Sequence, residues 1–189
     1  MKVFSQTDVS GNRRSTIIKN KFQSMFFEEK IEWLKKEFSA SDFRVPYTHA
    51  TDILKSIEKS FIIRKDVSRD LVNLGQYFNN WKENIKHEFE LMTIQTHEFE
   101  DCLRSLNIDT NYWVVLESSK IPKNFIADCR PISINPFYCT LHDYLFIVEK
   151  KYEWFVCFQN NKLTQTIRVS KSGSRPTPFD ELINVHGGR

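Results

Sequence analysis

The tetrapeptide His-Glu-Phe-Glu occurs twice, as His87, Glu88, Phe89, Glu90 and again as His97, Glu98, Phe99, Glu100. Imidazoles and carboxylates are the groups from which zinc sites and general acid–base pairs are made. The copies lie ten residues apart, in segments of different periodicity, and no third histidine lies nearby in sequence. Ligand type and count therefore argue against a metal, and none is expected. A second set is Cys139, His142 and Asp143, in which a carboxylate orients an imidazole that activates a thiol. No loop of oxyanion donors accompanies it, and a His-Asp pair also serves as a turn or cap. An enzyme or effector with a site near Cys139 and His142 stands as an alternative reading. A third set interleaves cations and aromatics: Lys150, Lys151, Tyr152, Trp154, Arg168 and Lys171. That pattern suits stacking and charge on a nucleic acid strand. Trp154 falls on the predicted core face, and a net charge of +3 is small for a basic footprint. A nucleic-acid-binding module using the basic C-terminal third is the other alternative.

Local charge is more informative than the total. Residues 83–101 hold Glu83, Glu88, Glu90, Glu98, Glu100 and Asp101 against Lys86 alone. Residues 150–175 hold Lys150, Lys151, Lys162, Arg168, Lys171 and Arg175 against Glu153. Such stretches steer charged partners, although a solvated face is their commoner use. The acidic stretch is the candidate partner-binding surface.

The five glycines form neither a dinucleotide fingerprint nor a P-loop, so phosphate-cradling loops of those kinds are excluded and no cofactor is expected. Hydrophobic residues make up 40% of the chain and sixteen are Phe, which excludes general disorder and predicts a phenylalanine-rich core. Cys102, Cys129, Cys139 and Cys157 are dispersed, without the close pairs of zinc or thioredoxin motifs. With no signal peptide at the N-terminus, reduced cysteines in a cytoplasmic protein are expected. No run reaches the length of a membrane span.

The elements that position these residues are most legible over 143–169. Residues 144–148, 152–158 and 163–169 are rich in β-branched and aromatic side chains and predict a three-stranded antiparallel meander. Asn160 and Asn161 suit a two-residue type I′ turn, which would set Phe158 opposite Leu163 and Trp154 opposite Ile167. Lys150 and Lys151 would form the other tip, with Ile147 opposite Trp154. Leu145, Ile147, Trp154, Val156, Phe158, Leu163 and Ile167 then share one face. Glu153 would oppose Arg168 on the other. The third strand grows polar and is placed nearer an edge.

Upstream, apolar spacing predicts helices over 15–38, 50–62, 68–85 and 96–106. Thr48 or Thr51 is the expected cap of the second, and Ile53, Leu54, Ile57 and Phe61 its inward face. Residues 43–47 read as extended, because Pro46 turns its predecessor from helix. Residues 112–116 read as the strand that opens the sheet and 125–129 as another. Residues 88–94 are ambiguous. After Ser170 the chain is loose or wraps the body, with Phe179, Leu182 and Ile183 in a short docking helix. The expectation is a single α+β domain: mostly helical over 1–80, a helix with antiparallel sheet over 81–170, and a tail over 171–189.

Tyr112, Trp113, Val114, Val115 and Leu116, followed by residues 143–148 and by Lys150, Lys151, Tyr152, Glu153, Trp154, Phe155, Val156 and Cys157, resemble a two-part pattern of small bacterial proteins. In these a Tyr-Trp-hydrophobic strand precedes a hairpin of the type YFIVxKKYxWLLCxNHH. Trp81, with Asn84 and Ile85, resembles the W-x-x-N-L stretch before the strands. The similarity spans residues 81–161. This chain carries Phe158, Gln159, Asn160 and Asn161 where the pattern ends in C-x-N-H-H. Those proteins look like immunity proteins of polymorphic toxin and contact-dependent inhibition systems. The resemblance implies a cytoplasmic, non-catalytic protein that binds a cognate toxin and occludes it. An acidic surface would suit a basic nuclease, whereas the net charge of +3 runs against that partner.

Overall fold

β-Branched and aromatic runs pair into one seven-stranded antiparallel sheet in the computed structural model, which describes residues 26–46, 48–63, 81–117, 125–138 and 143–182. The strands are β1 (Phe43–Arg44), β2 (Phe89–Gln95), β3 (Tyr112–Glu117), β4 (Phe125–Cys129), β5 (Tyr144–Val148), β6 (Trp154–Asn161) and β7 (Thr166–Gly173). Their order across the sheet is β1-β4-β3-β5-β6-β7-β2. The helices are α1 (Phe27–Glu37), α2 (Ala50–Phe61), α3 (Phe99–Leu103) and α4 (Pro131–Tyr138). The expected α+β class is the class observed.

Side chains alternate across a sheet, so a sheet buried on both faces needs two cores. Leu145, Ile147, Trp154, Val156, Phe158, Ile167 and Val169 belong to the first, with Ile31 and Leu34 of α1, Phe99 and Leu103 of α3 and Ile134 of α4. Phe146, Val148, Phe155 and Cys157 belong to the second, with Ile53, Leu54, Ile57 and Phe61 of α2. Helices therefore cover both faces, and β5 and β6 are the strands buried between them. Phe158 meets Phe99 edge-on at 5.2 Å on one side. Phe155 stacks on Phe61 at 5.3 Å on the other. Two buried carboxylates hold Trp81 over the second face: Glu117 accepts from its backbone N at 3.0 Å and Glu58 from its Nε1 at 3.1 Å.

The meander is present, but both its registers differ from expectation. Ile147 pairs with Val156 rather than Trp154, two residues further on. Phe158 pairs with Val169 rather than Leu163, six residues further on. Both displacements are even, and an even slip leaves every side chain on its own face. The core face was thus legible although the pairing was not. Leu163 is the exception. It lies in the loop 162–165 and is 96% exposed.

The cause is in the turn. Asn160 and Asn161 continue β6 instead of forming a two-residue turn. The Asn161 Oδ1 accepts from the backbone N of Leu163 at 3.1 Å and of Thr164 at 3.4 Å, an Asx-type turn that lengthens the loop. Positive φ falls on Gln165, at 54°. The Glu153–Arg168 pair goes with the register: Glu153 meets Arg175, and Arg168 meets Glu88 and Glu90.

Other elements depart from expectation for local reasons. The N-cap of α2 is His49, with no side-chain cap from either threonine. The end of the expected 68–85 helix is a 3₁₀ turn, Trp81–Glu83, and Ile85 bridges Ile62. Residues 68–80 lie outside the described residues, as do 15–25 of the first expected helix. The 96–106 segment divides into a 3₁₀ turn, Thr96–Glu98, and α3. Residues 88–94 resolve as the edge strand β2, which carries a bulge between Glu90 and Met92. The strand 112–116 does not open the sheet but lies third across it. Helix α4 was not expected. Pro131 fits its first turn, where a missing N–H costs nothing. Beyond Ser170 the chain wraps the body: β7 runs to Gly173, and Phe179 is fully buried against Trp154 and Phe158.

Candidate functional site

The acidic candidates divide between the two faces. Glu90 pairs across β2–β7 with Ser170, which lies on the same face as Cys157 and the second core. The Ser170 hydroxyl donates to Glu88 at 2.6 Å, and the Arg168 Nε donates to Glu90 at 2.8 Å. These two carboxylates are therefore tied into the sheet. Glu98, Glu100 and Asp101 belong to the segment that packs on the first core. Glu98 accepts from the Gln95 backbone N at 2.7 Å and so caps its turn. Glu100 accepts from the Asn135 Nδ2 at 3.0 Å, which joins α3 to α4. Asp101 pairs with Arg104 at 3.1 Å on the solvent side. Glu83 is exposed at the end of its 3₁₀ turn. Exposed Ile132 lies one helical turn before Asn135 on α4.

The two His-Glu-Phe-Glu copies adopt different structures. His87 has φ 46° in the bend before β2, and Phe89 is exposed. His97 lies in a 3₁₀ turn, and Phe99 is buried. Among the described residues no cluster of three or more His, Cys, Asp or Glu is placed to hold a metal ion. Cys139 and His142 lie outside the described residues. Asp143, at the start of β5, accepts from the Asn160 backbone N through its carbonyl at 3.2 Å.

Four of the six C-terminal cations meet carboxylates: Lys150 with Asp128, Arg168 with Glu88 and Glu90, Lys171 with Asp180, and Arg175 with Glu153. Lys151 and Lys162 are exposed at the two hairpin tips. Trp154 is buried in the first core, as its predicted face requires.

The most concentrated polar arrangement is one the sequence reading did not single out. A row crosses three strands: Arg44 of β1 pairs with Asp128 of β4, and Asp128 with Trp113 of β3. Asp128 is 1% exposed. The Arg44 Nε donates to its Oδ2 at 2.8 Å and the Lys150 Nζ to its Oδ1 at 2.6 Å. Lys150 also stands over the Trp113 ring, 2.9 Å from its centroid. Burial pushes the Lys150 ammonium pKa down, against the opposing pull of Asp128. These residues, with Ala40, Ser41, Asn111 and Arg130, line an open cleft of about 450 Å3. Asn111 and Arg130 hold the 39–42 turn at its rim. The Asn111 Nδ2 donates to the Ser41 carbonyl at 2.9 Å, and the Arg130 backbone N to the Asp42 carbonyl at 2.9 Å.

A signal for this site exists in the sequence. Asp128 interrupts the otherwise apolar strand β4, and aspartate is almost never fully buried unless paired. Its partners lie 84 residues before it and 22 after it, so only the sheet order brings them together.

The fold and this site define an antiparallel α+β protein with helices on both faces of the sheet and a cation-lined cleft at one end. Among protein-family models, curated proteins and solved structures, none matches the chain. Among the described residues no helix is long and apolar enough to cross a membrane.

Proposed function

We propose that this chain is a non-catalytic, cytoplasmic binding protein that neutralises a cognate bacterial toxin by steric occlusion, as the immunity proteins it resembles do. The observation that carries the reading is the surface shared by α3 and α4. Exposed Glu100 and Asp101 lie on α3 and exposed Ile132 on α4, and the Asn135 amide bonded to Glu100 joins the two helices. An apolar anchor with charged neighbours is the composition of a protein interface, in which the charge steers the encounter and the anchor supplies affinity. The scaffold beneath is preformed. Phe99 and Leu103 of α3 and Ile134 of α4 are buried in the first core, so the patch binds without paying to order itself.

The test has two stages. The tagged chain is used to capture partners from its native host, with a high-salt wash before mass spectrometry. The captured protein is then expressed alone and together with this chain. A stoichiometric partner that arrests growth alone and not in company supports the reading. A partner that is harmless alone, or no partner at high salt, overturns it.

A further inference from the structure

Strand β2 ends the sheet on one side, and β7 is the strand it pairs with. One bond fixes which way its backbone groups point. The Thr96 backbone N donates to the Gln165 carbonyl at 2.9 Å, which continues the β2–β7 register by one residue. Successive residues of an antiparallel strand turn their N–H and C=O to opposite sides. Ile94 and Met92 therefore bond to β7, whereas Thr93 and Gln95 direct their backbone groups to the outer edge. One outward group is taken. The Gln95 N–H donates to the Glu98 carboxylate at 2.7 Å, so a side chain fills the place that the carbonyl of an added strand would take. Among the described residues the outward N–H and carbonyl of Thr93 have no partner. The start of the strand is guarded in another way. Glu88 and Glu90 carry charge there, and a bulge lies between Glu90 and Met92. Charge and bulges keep sheet edges from pairing. Thr93–Gln95 lacks both devices and is closed by Glu98.

We propose that the outer edge of β2 is a pairing site for a second copy of this chain, and that the Glu98 carboxylate holds it closed. A two-fold axis normal to the sheet sets two copies antiparallel and keeps each face on its own side, so residues of like facing must oppose one another. Ile94 faces the first core, while Thr93 and Gln95 are exposed on the other side. An axis through Ile94 meets that condition and sets Thr93 opposite Gln95 of the second copy. Each outward N–H then meets an outward carbonyl. Half of these bonds need the Gln95 N–H that Glu98 holds. An axis through Thr93 would instead engage Leu91, where the bulge shifts the register. The stretch is complementary to itself in donors, acceptors and facing, and it carries no charge to oppose its own copy. Toxin binding and this pairing are independent, since the pairing involves no molecule but this chain.

Sedimentation velocity of the full chain reads the state of association over a range of concentrations. The parent is expected to remain a monomer, as is Glu98→Gln, whose amide oxygen still accepts from Gln95. Glu98→Ala is expected to double in mass as its concentration rises. Adding Thr93→Pro removes an outward N–H and leaves the β7 ladder intact, so it should return Glu98→Ala to the monomer. Glu98→Ala that stays monomeric, a parent already dimeric, assembly past the dimer, or a dimer that survives Thr93→Pro overturns the proposal. Hydrogen exchange tests the parent without any substitution: the Ile94 amide should be protected by β7 and the Thr93 amide should exchange freely. Protection of Thr93 equal to that of Ile94 would show that the edge is not open, and the proposal would fall.

Discussion

Lys150 stands 2.9 Å from the centroid of the Trp113 ring while its ammonium donates to Asp128 at 2.6 Å. The contact joins a hairpin tip to the third strand across the sheet. It also encloses a carboxylate in a nearly dry site. Such a pair adds little over an apolar substitute of the same shape, but breaking it strands a charge.

Asp128→Ala is therefore expected to destabilise the protein by about 3 kcal/mol, because Lys150 loses its carboxylate in a partly desolvated position. Chemical denaturation measures this, and a double-mutant cycle with Lys150→Met isolates the pairwise part. A loss near zero for Asp128→Ala would show that Arg44 and Lys150 simply turn out to water.

Gly173→Ala is expected to cost about 2 kcal/mol. Gly173 has φ 116°, and a Cβ there would come within 2.5 Å of the Glu153 carbonyl oxygen and 2.9 Å of the Trp154 Cα. Both obstacles are backbone, so relief requires the β6–β7 pairing to open at its end. A variant as stable as the parent in urea would mean that β7 stops short of residue 173.

The cysteines predict an alkaline limit to stability. Burial, with Glu98 adding to it, pushes the Cys102 thiol from 9.0 up to about 12, and burial raises Cys129 and Cys157 as well. A raised thiol stays neutral in the fold after it would ionise in the unfolded chain. Its contribution is complete below about pH 9 and is lost as pH rises through the folded value, about 12 for Cys102. Denaturation midpoints should fall between about pH 8 and about pH 11, and Cys102→Ala should reduce that slope whatever its effect at pH 8. Near neutral pH, Cys102, Cys129 and Cys157 should resist alkylation in the native protein, which peptide mapping reads directly. Rapid labelling of any of the three would contradict the burial assigned to it.

The charged candidates are separable by their structural ties. Reversal of Glu100 and Asp101 to Lys changes exposed charges at the proposed interface and should slow partner association and reduce its salt dependence, at a stability cost of about 1 kcal/mol from the lost Asn135 and Arg104 partners. Reversal of Glu88 and Glu90 meets Arg168 and Ser170, so it should destabilise the β2–β7 edge whether or not a partner binds there. If charge reversal on α3 leaves association and its salt dependence as they were, that surface is not the interface.

Phe179→Ala is expected to cost about 3 kcal/mol, because Phe179 is fully buried between Trp154 and Phe158 and its removal opens a cavity in the first core. A loss below about 1 kcal/mol in denaturant would show that the segment after Gly173 contributes little to the core.

Periodicity alone determined which side of each central strand faces which core. Leu145, Ile147, Trp154, Val156 and Phe158 share the first core because side chains alternate regardless of partner. It also determined the inward face of α2, whose Ile53, Leu54, Ile57 and Phe61 are buried as their spacing requires. Only the tertiary structure decided the registers. Hairpin pairing depends on loop conformation, and the Asn161 side chain with the positive φ of Gln165 lengthened a turn that composition alone read as two residues. Only the tertiary structure decided the cleft as well. Arg44, Asp128, Trp113 and Lys150 are scattered over more than a hundred positions and share no motif. They meet because β1 and β3 flank β4 and the β5–β6 tip folds back over Asp128, and lateral strand order is set by long-range pairing that no local pattern encodes.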